Sequence, residues 1–179
     1  MRIIIGSDHR GKEIFNLVVE YIRNNTDHLL TLANDFESKA IDYPDIGIRV
    51  ARDVGSGKFD CGILICGTGI GMCVVANKFP GVRAAPCNNE VVAELARKHN
   101  DSNVLCLAGD MLGEGSSLRI VEKWLSTKFL GGRHAFRLEQ IRELEKRNYS
   151  PSKVGLFEDT VELGSPETED SAIPCANSA

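Results

Sequence analysis

Cys66 stands directly before Gly67, Thr68, Gly69, Ile70 and Gly71, and it closes an apolar run over residues 62–66. Glycines let a backbone come close to a ligand, and the unpaired N–H groups of a following helical turn point at whatever binds there. A thiol in that position has its thiolate favoured, because such donors stabilise the anion. The other reading is a buried apolar cysteine beside a tight turn. Asp8 and His9 follow a second apolar run, residues 2–6, while His99, Asn100 and Asp101 close a later amphipathic stretch. Each also has a structural explanation: Asp8 as an N-cap, Thr68 as a turn residue, His99 as a cation on a helix carboxyl end. The expected arrangement brings them to one edge of a sheet, around an anion site.

Arg133 and Arg137 are spaced i, i+4. On a helix they share a face and can grip one phosphate or carboxylate. They can equally belong to a solvated charged helix together with Arg142 and Arg147.

The elements that must position these groups alternate regularly. Short β-branched or apolar runs at residues 2–6, 29–33, 62–66, 82–86 and 103–107 predict strands buried on both faces. Helical spacing follows at residues 12–24, 44–54, 72–77, 88–99 and 114–129, and a charged helix is predicted over 133–147. That alternation predicts an α/β fold: a three-layer α/β/α, Rossmann-like, doubly wound sheet of about five parallel strands in a single domain. Ligands bind at the carboxyl ends of such strands. The last helix lies beyond the natural end of a five-strand sheet and is expected to pack on a partner subunit.

The chain has 179 residues and a formal net charge of −4. Six acidic residues and one basic residue lie beyond Tyr149. Residues 1–148 are therefore nearly charge-balanced, which argues against nucleic-acid binding. Residues 149–179 are rich in Ser, Pro, Glu, Thr and Asp and predict an acidic, flexible tail. No apolar run approaches the length of a membrane span, and no signal-peptide pattern opens the chain. The six cysteines fall mostly on apolar segments without paired spacing, which predicts a reducing, cytoplasmic setting and no structural zinc.

Two nucleotide motifs are imitated and fail. Gly6 and Gly11-Lys12 have P-loop spacing, but Glu13 stands where Ser or Thr should hold magnesium. The glycines at 67, 69 and 71 are one position short of the dinucleotide fingerprint.

The segments Gly6-Ser7-Asp8-His9-Arg10-Gly11, Asp42-Tyr43-Pro44, the run from Gly62 to Gly71, Ala76-Asn77-Lys78, His99-Asn100 and Gly132-Arg133-His134 resemble type B ribose-5-phosphate isomerase and the related galactose-6-phosphate isomerase subunits. The resemblance covers residues 1–148. It implies a metal-independent, cofactor-free aldose–ketose isomerase acting on a sugar phosphate, assembled as a homodimer or dimer of dimers with shared sites. Carried over by position, it implies Cys66 as the base and the 67–71 backbone as the enediolate cradle. Thr68 would assist proton movement, and His99 would open the sugar ring with support from Asp8. It implies His9, Arg133 and Arg137 as phosphate ligands, Asn100 as a substrate contact and Tyr43 as a pocket wall. One position departs from the pattern: the family usually has Arg where this chain has Asp110. A carboxylate there is expected to repel a phosphate, which leaves open a hexose 6-phosphate substrate or a binding homologue with weakened catalysis.

Overall fold

Ile3, Ile4 and Ile5 are all sealed from solvent, which requires a strand with a layer of helices on each side. The computed structural model describes residues 1–34 and 42–149 and shows that arrangement. Five strands form the sheet: β1 (Arg2–Ser7), β2 (Leu29–Leu32), β3 (Cys61–Cys66), β4 (Ala84–Pro86) and β5 (Val104–Ala108). Their order is β2-β1-β3-β5-β4, and every neighbouring pair is parallel. The helices are α1 (Lys12–Asn25), α2 (Tyr43–Gly55), α3 (Ile70–Ala76), α4 (Glu90–Asn100), α5 (Glu114–Ser126) and α6 (Arg133–Asn148). A single 3₁₀ turn, His9–Gly11, links β1 to α1.

Strand alternation divides the core in two. Ile3, Ile5, Ile63, Ile65, Leu105 and Leu107 face α1, α4 and α5. Ile4, Leu64, Cys66, Val104 and Cys106 face α2 and α3. The chain runs from β1 out to β2 and then crosses to β3 on the other side of β1. The crevice of such a sheet lies where the winding reverses, between the carboxyl ends of β1 and β3. Among the described residues no helix is long and apolar enough to cross a membrane.

Several boundaries shift from expectation for local reasons. β4 begins at Ala84 rather than at residue 82, because the Asn77 side chain brackets Ala84: it donates to the carbonyl at 3.0 Å and accepts from the amide at 2.9 Å. α3 begins at Ile70, two residues earlier than its spacing suggests, with a left-handed Gly69 as N-cap. The polar loop over residues 35–41 and the acidic tail over residues 150–179 lie outside the described residues.

Within the chain, α6 docks through His134 and Leu138. Glu145 accepts from the Gly81 amide at 3.2 Å, and the Tyr149 hydroxyl donates to the Lys78 carbonyl at 2.6 Å. Phe136 (70% exposed), Ile141 and Leu144 remain open to solvent on the same helix.

Candidate active site

Three loops meet around the glycine turn that follows Cys66. The Asp8 amide donates to the Ile65 carbonyl at 3.2 Å, which ties the end of β1 to β3. From β5, the Gly109 amide donates to the Cys66 carbonyl at 2.8 Å and the Asp110 amide to the Gly67 carbonyl at 3.0 Å. Gly69 has φ +73°, a left-handed conformation costly to any residue with a Cβ. A Cβ there would also lie 3.1 Å from the Leu107 carbonyl carbon and oxygen. This close contact presses the turn onto β5.

The Cys66 thiol is 5% exposed and packs with Met72, Cys73 and Cys106 in the cluster under α2 and α3. Cys66 ends β3, and the glycine turn follows it directly into α3. Burial pushes the Cys61 and Cys87 thiols each up to about 12. Thr68 is exposed, and its hydroxyl oxygen accepts from the Ile70 amide at 3.3 Å. Asp8 is buried, and its Oδ1 accepts from the Arg10 amide at 2.9 Å and the Gly11 amide at 3.2 Å. One carboxylate oxygen thus makes both capping bonds. His9 is exposed on the same rim. Tyr43, the first residue of α2, lays its ring over Gly71, with Cε2 2.8 Å from where a Cβ would begin.

The expectation that His99 and Asn100 reach the same edge of the sheet is overturned within one chain. α4 runs back against the strands, so its carboxyl end arrives where β5 starts. The Asn100 carbonyl accepts from Arg83 Nε at 3.0 Å, next to the first residue of β4. Asp101, at φ +44°, caps α4 and binds Arg83 at 2.9 Å and Arg97 at 3.1 Å. Ser102 accepts from Trp124 Nε1 at 2.8 Å, and the Arg97 guanidinium lies 5.2 Å from the same indole ring. His99, Asn100, Arg133 and Arg137 therefore form a second group at the amino edge, away from Cys66 and Asp8. A cavity of about 480 Å³ between α6 and β4 is lined by Asn100, Leu138 and Tyr149, and by no residue of the glycine turn.

Two residues that spacing did not single out belong to these groups. His134 is buried and stacks on His99, ring centroids 4.3 Å apart and planes within 4°. Its i, i+4 register with Leu138, the other buried residue of α6, was the available signal. Arg10 lies across the glycine turn: its Nε donates to Asp110 Oδ2 at 2.7 Å, and Nη2 reaches the same oxygen at 2.5 Å. The carboxylate expected to repel a phosphate is thus paired with a guanidinium.

Comparison with known proteins fits this architecture. Residues 3–141 match the family described as Ribose/Galactose Isomerase. The chain is 38% identical over 146 residues to ribose-5-phosphate isomerase B of Escherichia coli, covering 82% of this chain and 97% of that one. It superposes on Clostridium thermocellum ribose-5-phosphate isomerase B with a TM-score of 0.78 at 42% identity, covering 82% of this chain and 99% of that one. The Mycoplasma genitalium ribose-5-phosphate isomerase B structure with bound ribulose-5-phosphate gives a TM-score of 0.77 at 38% identity, covering 81% and 96%. With a parallel five-strand sheet, a cysteine closing its central strand and this likeness along most of its length, the chain belongs to the ribose/galactose isomerase family.

Proposed function

We propose that the chain is a metal-independent aldose–ketose isomerase interconverting ribose 5-phosphate and ribulose 5-phosphate through an enediolate. The observation that supports the reading is Cys66 at the carboxyl end of the central strand β3, directly before the glycine turn and beside the point where the winding of the sheet reverses. A proton beside a sugar carbonyl is too weakly acidic for an unaided thiolate. Backbone donors aimed at the developing oxyanion supply on the order of ~3 kcal/mol each. In this reading Cys66 moves the proton between C1 and C2, the backbone of Gly67, Gly69, Ile70 and Gly71 holds the enediolate, and Thr68 turns its hydroxyl from Ile70 to the sugar oxygens. Tyr43 closes one wall, and His9 meets the phosphate.

His99 as ring opener, Asn100 as substrate contact and Arg133 and Arg137 as phosphate ligands require a second subunit, since in one chain they stand at the opposite edge. We infer a homodimer or dimer of dimers in which the α4–α6 end of one copy completes the Cys66 crevice of another. Asp8 then supports the neighbour's His99. Pairing with Arg10 removes the ground for reading Asp110 as a mark of lost catalysis.

The test is conversion of ribose 5-phosphate to ribulose 5-phosphate by the purified protein, run beside a panel of hexose 6-phosphates. Cys66→Ala should abolish solvent proton exchange at C2 and leave the fold intact. Full isomerisation by that variant would remove Cys66 from the mechanism.

A further inference from the structure

We propose that Arg10, held in place by Asp110, contacts the substrate and binds its phosphate monoester on the Cys66 side of the crevice. The proposal rests on the sugar-phosphate reading above and names a ligand group which that reading does not contain.

Arg10 occupies a built position. Its backbone is fixed by the Asp8 carboxylate, which caps the turn leading into α1. Its guanidinium is fixed by Asp110, whose own amide is bonded to the Gly67 carbonyl. A Cβ added to Gly67 would lie 2.6 Å from Asp110 Oδ2 and 2.8 Å from Arg10 Nε. The pair therefore lies directly on the residue that follows Cys66, and only a glycine there admits it.

Stability does not account for this arrangement. The Arg10 side chain is 60% exposed and that of Asp110 34% exposed, and surface pairs of this kind contribute little to folding. Asp110 occupies Nε and Nη2 through a single oxygen. Among the described residues Nη1 has no partner, so hydrogen-bond donors of a permanently charged group remain available at the crevice mouth. A guanidinium already held at one edge loses less freedom when an anion docks on the other.

Position selects the phosphate over the reacting oxygens. Cys66 is almost fully covered, whereas the Arg10 side chain over the following glycine is open to water. A substrate whose C1 and C2 reach the thiol directs its distal end outward, toward the rim that also carries His9.

The experiment measures inorganic phosphate binding by calorimetry, together with KM and kcat for ribose 5-phosphate, on the wild type, Arg10→Ala and Arg10→Lys. Thermal unfolding is recorded for each. Arg10→Ala should weaken phosphate binding and raise KM by about tenfold or more, as expected for a lost charge-assisted bond. kcat should change less, Tm should hold, and Arg10→Lys should recover part of the affinity. Phosphate binding and KM within twofold of wild type in Arg10→Ala would overturn the proposal, as would a wild type that does not bind phosphate. Arg10-dependent phosphate binding without turnover of any sugar phosphate would uphold the anion site and refute the isomerase reading.

Discussion

The imidazoles of His99 and His134 lie face to face, 4.3 Å between centroids and 4° from parallel. One ring ends α4, and the other sits in the first turn of α6. The stack fixes the plane of the residue proposed to open the sugar ring. It also brings two titratable groups together under the guanidinium groups of Arg133 and Arg137.

Burial, then the neighbouring His99, Arg133 and Arg137 charges, pushes His134 below the usual imidazole value of 6.5. The unfolded chain therefore takes up a proton before the folded one does. The stabilising contribution is present above about pH 6.5 and is lost as the pH falls below it. We predict that Tm drops between pH 7.5 and 5.5, and that His134→Phe, which keeps a ring against His99 without the charge, drops by a few degrees less. Equal pH dependence in the two proteins would count against the coupling.

Division of the proposed site between sheet edges predicts complementation. Cys66→Ala and His99→Ala should each be inactive alone. Co-refolded as a mixture, they should regain up to about a quarter of wild-type activity, because half of randomly paired dimers then hold one intact site out of two. A mixture as inactive as its components would mean that sites are not shared.

Gly69→Ala should cost about 1–2 kcal/mol for the left-handed backbone, lowering Tm by roughly 3–8 °C in a chain of this size. The contact with Leu107 allows the turn no room to move aside. Activity at a temperature where the variant is fully folded should fall well beyond what the stability loss explains, which thermal unfolding and kinetics together will show.

Asp101 binds two guanidinium groups from a half-buried position. Asp101→Ala removes the carboxylate shared by Arg83 and Arg97 and should destabilise by about 2 kcal/mol, less than a fully buried network would lose. Asp101→Asn keeps a side chain tolerant of the positive φ and should cost about half as much. Urea unfolding midpoints measure both.

Most of the fold could be read from sequence, because strands covered on both faces appear as unbroken apolar runs and the helices that cover them as periodic ones. The placement of Cys66, Gly67, Thr68, Gly69 and Gly71 was readable for a related reason: it is local, set by a strand end and the turn that follows. His99 was misplaced because adjacency along the chain is a poor guide to edge. A helix that returns antiparallel delivers its end to the start of the next strand. The Arg10–Asp110 pair spans 100 residues, and no spacing rule reaches that far. Asn77 standing in for a strand neighbour at Ala84 is likewise visible only once both are placed.

Trp124, the one tryptophan of the chain, hydrogen-bonds Ser102 and lies under Arg97. Its fluorescence is thus a native optical gauge for the shoulder that bears His99. Emission should respond when another protomer presses on that shoulder, and it should stay constant through changes confined to the far edge. The proposed subunit association can therefore be followed without a label.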